Sequence, residues 1–267
     1  MPQEEVFNYM YTGAQAIRPT IRTIAFRVIA GLMALEFTVT AFFLYIRSTT
    51  ATQMVVGMAY KAGLLILLVP VVTNHTALIG PSFQFLVDSG TTVAGRANPF
   101  EVSKAGNDIF FACMKAAAPG WSLNAINKFF IVFFAACVMW IIAQLVAILI
   151  TVTLIESAIV VYGGSLFLAF GMSRFTAGLA DNYFAYALGV GVKIFFLYVI
   201  CGILGGQAAD WIIAIEAIDE PEDFPLLYDI AGAAMVFGFT ALYVPATAAA
   251  KITSGFQIGF QRAHQPL

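Results

Sequence analysis

The feature that most constrains this chain is an apolar run from Phe129 to Ile155, which has 27 residues and no charged side chain. An α-helix crosses the hydrocarbon core of a bilayer, about 30 Å thick, with about 20 residues. Only 10% of the 267 residues are charged and 61% are hydrophobic, and so little charge does not cover the surface of a water-soluble domain. The sequence therefore predicts a membrane protein.

Other apolar runs indicate further membrane spans. Four have the length of a span, namely Ile24–Ile46, Val55–Val72, Ala185–Leu204 and Leu227–Ala249. A shorter stretch, Ser157–Phe170, follows Glu156 directly and is either a sixth span or a half-span that folds back. Because lipid offers the backbone no hydrogen-bond partner, each span must be helical. We therefore predict an all-α fold, a polytopic transmembrane helical bundle with five to six spans and amphipathic surface helices.

The pattern along the chain divides it into five regions. They are a polar or amphipathic N-terminal segment (1–23), two spans (24–72), a central extramembrane loop (73–128), a transmembrane core with an acidic loop at 207–226 (129–249), and a C-terminal tail (250–267). We expect the extramembrane regions to meet lipid headgroups or partner proteins.

Two amphipathic surface helices are predicted outside the spans. In the central loop, Pro99 follows the capping residue Asn98 and begins a helix with apolar residues at steps of three and four. This helix is either a packed connector or a binding surface. The second surface helix is predicted at Ser173–Tyr186. Four side chains are the candidate surface-helix contacts: Phe110, Phe111, Arg174 and Phe175.

Four charged side chains lie within or at the edge of the predicted spans, namely Glu36, Lys61, Glu156 and Lys193. Ionisable groups at membrane depth face the bundle interior, find partners and often mark a functional site. In one interpretation, Glu36 or Glu156 carries protons or binds a cation, as in a transporter. In the other, the carboxylates pair with Lys61 or Lys193 and hold helices in register. The sequence lacks two matching halves with broken helices, which favours the structural interpretation.

Glycines inside the spans indicate where helices approach one another closely. Gly202 and Gly206 lie four residues apart, and Gly163 and Gly164 are adjacent. Helices in lipid associate through such small residues, since no hydrophobic effect drives them together. We predict that these four glycines are helix-packing or oligomer contacts. The pattern leaves open whether the contacts lie within one chain or between subunits.

The sequence does not carry the residue patterns of common enzymes. Its two histidines, His75 and His264, do not form an HExxH motif, no serine lies in a GxSxG turn, and no glycine-rich phosphate loop precedes a lysine. The three cysteines have neither paired spacing nor accompanying histidines. We therefore expect a protein that is not an enzyme and has no catalytic residue, cofactor or metal site.

Three segments together resemble one family of membrane proteins. The first span contains LMALEFTVT (32–40), and the central loop contains FLVDSGTTVAGRANPFEVSKAGNDIF (85–110). The stretch 154–200 combines an acid at the end of a span, a glycine-bearing apolar segment, a Gly-x-Ser-Arg-aromatic-Thr motif, an aromatic helix and a lysine-bearing span. This order of features is similar to the TrbL family of conjugative type IV secretion subunits, and the resemblance runs from the first span to Leu204.

The resemblance implies a multi-pass protein of the bacterial inner (cytoplasmic) membrane that serves conjugal DNA transfer. Such a subunit is expected to be a channel or platform component, to support pilus or stalk assembly, and to contact the transferred single-stranded DNA–protein substrate transiently. Its implied partners are the minor pilin or stalk subunit, the secretion ATPases, the bitopic scaffold subunits and further copies of itself in a homo-oligomeric ring, for which a pentamer is one candidate. A small-solute or ion-coupled membrane transporter is the alternative function.

The membrane orientation of the central loop stays open. With six spans, basic residues that include Arg96, Lys104 and Lys115 favour a cytoplasmic loop. The family resemblance instead implies a periplasmic loop.

Overall fold

The computed structural model of this chain describes residues 3–46, 51–94, 99–117, 123–218 and 224–255. These residues form seven α-helices and one short 3-10 turn, and no strand occurs among them. The helices are α1 (Gln3–Ile46), α2 (Ala51–Thr73), α3 (His75–Ala94), α4 (Pro99–Ala116), α5 (Leu123–Ala169), α6 (Ala177–Glu216) and α7 (Phe224–Thr253), with the 3-10 turn Phe170–Met172 between α5 and α6. The predicted all-α class is confirmed.

Among the described residues, four helical segments are long and apolar enough to cross a bilayer: Asn8–Phe43, Ile126–Met172, Ala177–Glu216 and Pro225–Thr253. A fifth candidate is bent, because Leu65–Thr73 of α2 and His75–Gly90 of α3 pass the same test together but meet at 57°. Asn74 lies at this break; its N–H donates to the Pro70 carbonyl at 2.9 Å, as in a helix, before the chain turns into α3. The polytopic bundle is confirmed, with the bent pair as its fifth candidate span.

The separate element predicted at Ser157–Phe170, either a sixth span or a half-span that folds back, is wrong, because these residues continue the helix that starts before Phe129. The helix α5 runs from Leu123 to Ala169, and its 47 residues correspond to roughly 70 Å at 1.5 Å per residue. The helix continues through Glu156 without a break. The Glu156 carboxylate accepts a hydrogen bond from the Tyr186 hydroxyl at 2.5 Å, so this charged side chain has a partner within the fold.

The second surface helix, predicted at Ser173–Tyr186, is also wrong as a separate element. After a short connection, α6 begins at Ala177 and continues for 40 residues to Glu216, so the aromatic segment and the lysine-bearing span are one helix. The predicted acidic loop at 207–226 is helical as far as Glu216, and residues 219–223 lie outside the described part of the chain.

The central region contains more helix than the sequence predicted. Residues 75–94, assigned to the extramembrane loop, form α3, which shares the apolar character of α2. The amphipathic helix predicted to start at Pro99 is confirmed as α4. It carries Glu101 in its first turn and Lys115 in its last turn, which complements the helix dipole at both ends.

The described part of the chain divides into two compact units. The first takes residues from Met1–Glu5, Phe85–Leu154 and Gly191–Ala249, and the second from Val6–Gln84, Ile155–Val190 and Ala250–Leu267. In the first unit α4, α5, α6 and α7 share one apolar core, whose buried side chains include Val102, Ile109, Cys113, Ala136, Met139, Leu197, Cys201, Ile215, Leu227 and Ala234. The apolar face of α4 is thus used in packing within its own unit.

Candidate functional site

The central polar group of the second unit is Glu36, whose side chain is only 1% exposed. Helix α1 buries it on the same face as Ala25 and Ile29. The Ser173 hydroxyl donates a hydrogen bond to Glu36 Oε2 at 3.1 Å, and Arg174 Nε lies 3.3 Å from Oε1. The buried carboxylate therefore has both a hydroxyl donor and a cationic partner.

Ser173 also closes the turn that leads into helix α6. Its backbone is extended (φ −117°, ψ 139°), and its carbonyl accepts the Ala177 N–H at 2.8 Å. Its Oγ accepts the Phe175 N–H at 3.4 Å. The hydroxyl that binds the Glu36 carboxylate is therefore held in place by the backbone of this turn.

The guanidinium of Arg174 lies between two exposed aromatic rings. Its central carbon is 5.6 Å from the centroid of Phe43 and 5.4 Å from that of Phe175. Rings at this distance attract a cation through their negative faces. Arg174 Nε faces the Glu36 carboxylate without the geometry of a hydrogen bond, so the attraction is that of an ion pair. The rings and the carboxylate together fix the position of the guanidinium.

The structure gives Glu36 a partner that the sequence did not suggest. The sequence offered Lys61 and Lys193 as the candidate partners of the intramembrane carboxylates. The side chain of Lys61 is outside the described side chains, and Lys193 lies half-buried in the part of α6 that belongs to the first unit. Arg174 was predicted only as a surface-helix contact. It lies in the connection before α6, where residue spacing gave no signal that its side chain returns to the first span.

A second buried cluster in the same unit involves His75, at the start of α3. His75 Nε2 lies 2.5 Å from the hydroxyl of Tyr183, and this hydroxyl donates to the Val160 carbonyl of α5 at 3.0 Å. The ring of Phe167 stacks parallel to that of Tyr183 at 5.8 Å. Sequence reasoning considered His75 only as part of an enzyme motif and missed this contact, which ties the bend between α2 and α3 to α5 and α6.

The four predicted glycines differ in their surroundings. A Cβ at Gly164 would overlap the Tyr183 hydroxyl, whereas at Gly163 the nearest atom among the described residues is 4.0 Å away on the same helix. At Gly206 no atom of the described residues lies within 4 Å, and Gly202 is half-buried. Gly164 therefore permits a close approach within the chain, while Gly163 and Gly206 have room for a side chain.

The surface-helix candidates of α4 also differ from one another. Phe110 is half-buried and lies 6.5 Å from the ring of Trp140 in α5, whose indole N–H donates to Asn107 Oδ1 at 2.8 Å. Phe111 is 67% exposed. Polar and apolar positions of α4 thus both pack against α5, and Phe111 remains available at the surface of the first unit.

Comparison with known families gives a match that covers most of the chain. The model of a family described as TrbL/VirB6 plasmid conjugal transfer protein matches residues 33–246, which is 214 of the 267 residues. This chain belongs to the TrbL/VirB6 family. The resemblance that the sequence predicted is confirmed. Comparison with curated proteins finds no match.

Membership of the TrbL/VirB6 family makes this chain a component of a conjugal transfer or type IV secretion complex with other subunits. Its several apolar helices are those of a polytopic membrane protein. The TrbL/VirB6 match contains Glu36, Ser173, Arg174 and the close-packing Gly164, but it does not contain residues 1–32. TrbL/VirB6 proteins are structural components of the conjugation apparatus.

Proposed function

We propose that this TrbL/VirB6 chain is an inner-membrane platform or channel subunit of a type IV secretion machine, on which a pilus or stalk assembles and past which the DNA–protein substrate moves. The observation that carries the proposal is the family match over residues 33–246, which includes three of the candidate spans in full and parts of Asn8–Phe43 and Pro225–Thr253. As a structural component it works without catalysing a reaction.

The state of the two intramembrane carboxylates favours a platform over an ion-coupled transporter. A proton carrier needs a carboxyl group that gains and loses a proton during its cycle. Glu36 is held by Arg174 and Ser173, and Glu156 accepts a hydrogen bond from Tyr186. Each carboxylate is therefore engaged with side chains of other segments of the chain, which supports a structural role in an assembly scaffold.

The proposed partners follow from the place of such a subunit in the machine. We expect contacts with the minor pilin or stalk subunit, the secretion ATPases and the bitopic scaffold subunits, together with a closed ring of identical copies. A head-to-tail interface between identical subunits closes into a ring or continues as a filament, and a membrane platform requires closure.

Deletion of the gene tests the proposal. We expect transfer of a conjugative element to a recipient to be lost and to return when the wild-type chain is supplied in trans. Electron microscopy of surface pili in the same strains separates a defect in pilus assembly from a defect in substrate passage. Transfer at the wild-type frequency in a deletion strain without a second copy would contradict the proposal.

A further inference from the structure

Helix α1 has one face that packs within its own chain. In the apolar span this face consists of Ala25, Ile29, Met33 and Glu36, all buried. Nearer the N-terminus it continues as a polar contact, because Gln15 Nε2 donates to the Tyr162 hydroxyl of α5 at 2.9 Å. This face is therefore occupied by the second unit of the same chain.

A second face of α1 is apolar and largely exposed. We call it the α1 seam, and it consists of Met10, Ala14, Ile17, Ile21 and Ile24, of which Ala14 and Ile21 are half-buried. Met10, Ile17 and Ile24 are 43%, 53% and 43% exposed. At about 100° per residue, the seam lies roughly 100° around the helix from the packed face.

The spacing of the α1 seam is that of a helix which packs against another helix. Its residues follow one another at steps of four, three, four and three, the heptad pattern of a coiled-coil interface. The other faces at this level carry the exposed polar side chains of Thr12, Arg18, Arg22 and Thr23, together with small residues such as Ala16. A heptad-spaced apolar stripe that is flanked by polar and small residues suits a helical partner.

The membrane surface is a poor occupant for the seam. The candidate span Asn8–Phe43 has 36 residues, or roughly 54 Å, whereas about 20 residues cross the hydrocarbon core. Its apolar run begins at Ile24, so residues 8–23 extend beyond the core as a continuation of the span, with Pro19 inside the helix on the face opposite the seam. A helix that continues from a span does not lie flat on the bilayer, as an interfacial helix must, so we assign the seam to a protein partner.

We propose that the α1 seam packs against the α1 helix of a neighbouring copy of this chain. All copies insert into the membrane in the same orientation, so their seams are parallel and at the same height. In the parallel register Arg18 faces Gly13 of the neighbour and Arg27 faces its Leu32, so no pair of like charges is created. Two heptads are enough for the two α1 helices to associate, since anchoring in one membrane gives them a high effective concentration.

This assignment rests on the proposed ring of identical subunits. The α1 seam itself lies outside the segment that the family match covers. Cysteine crosslinking tests the assignment with pairs of adjacent positions that lie on different faces of α1. Ile17→Cys and Ile24→Cys lie on the seam, whereas Ala16→Cys and Thr23→Cys are exposed on the opposite side. The wild-type chain, with its own three cysteines, gives the background.

Mild oxidation in native membranes should give a disulfide-linked product of twice the chain mass. We expect the yield of this product to be at least about fivefold higher for the two seam variants than for the two variants on the opposite side of α1. Equal yields at positions 16 and 17, or a product with the mass of a different protein, would overturn the seam assignment. Native mass measurement of the wild-type chain in nanodiscs separates the two proposals. An oligomer without seam crosslinks leaves the ring standing and removes the seam, whereas a monomer in nanodiscs and in membranes removes both.

Discussion

Replacing Arg174 by methionine should destabilise the protein more than replacing Glu36 by glutamine. The Arg174→Met variant leaves a carboxylate that is 1% exposed with the Ser173 hydroxyl but without its cation. The Glu36→Gln variant keeps an oxygen that accepts the serine proton. It leaves an arginine whose side chain is 33% exposed and therefore reaches water.

The expected magnitudes follow from these environments. Removing one partner of a buried ion pair costs about 3–5 kcal/mol, and because the arginine is partly exposed we expect about 3 kcal/mol for Arg174→Met. This corresponds to roughly a 100-fold change in the unfolding equilibrium constant. For Glu36→Gln we expect about 1 kcal/mol, the value of a weakened hydrogen bond. The double variant has no unpaired charge and should lose about 1–2 kcal/mol, which gives a coupling energy of about 2–3 kcal/mol.

Denaturant titration in detergent micelles, followed by tryptophan fluorescence, measures the free energy of unfolding of the four species. Glu36→Leu serves as a control, since it removes the acceptor of the Ser173 hydroxyl and should cost more than Glu36→Gln. Additive effects of the two single substitutions, within about 0.5 kcal/mol, would refute the coupling. Loss of DNA transfer in Glu36→Gln at normal protein levels would refute the structural role and favour a proton carrier.

Four further substitutions or modifications test the packing. Gly164→Ala should lower the free energy of unfolding by about 1–3 kcal/mol because its methyl group overlaps a tyrosine hydroxyl. Gly163→Ala has open space and should change it by less than about 0.5 kcal/mol, so equal effects would contradict the assigned contact. Burial raises the pKa of the Cys113 thiol to about 12, so a water-soluble maleimide should modify it at pH 8 only after denaturation, and rapid labelling of the folded chain would show that it is accessible. Lys115→Ala removes an exposed 3.1 Å ion pair with Glu216 and should cost less than about 1 kcal/mol by the same titration; a larger loss would show that the pair is shielded from water.

Hydropathy and local start signals predicted the class of the fold and the position of α4. The all-α class follows from the length of the apolar runs, and α4 follows from a proline at the first helical position with apolar residues at helical steps. These features depend on residues close together in the chain. The continuity of α5 was missed because Glu156 marks the end of a span in sequence, whereas in the structure a tyrosine thirty residues later compensates it.

The contacts of the candidate site depend on residues that are distant in the chain. The sequence alone identified Glu36 as a carboxylate that is costly to bury and requires a partner, but several basic side chains lie within or beside the apolar runs. The choice of Arg174 depends on the position of Ser173 in the turn before α6 and on the ring of Phe43, which no spacing rule contains. Gly163 and Gly164 likewise have the same sequence context, and only the neighbouring side chains distinguish them.

The ion pair between Glu36 and Arg174 has a consequence for biosynthesis. The two residues are 138 positions apart, so a ribosome that adds 5–20 residues per second makes the arginine about 7–28 s after the glutamate. During this interval the Glu36 carboxyl group has no Arg174 partner, because the arginine has not yet been made. The buried ion pair can therefore form only after residue 174 has been synthesised, and the first span reaches its final packing well after its own translation.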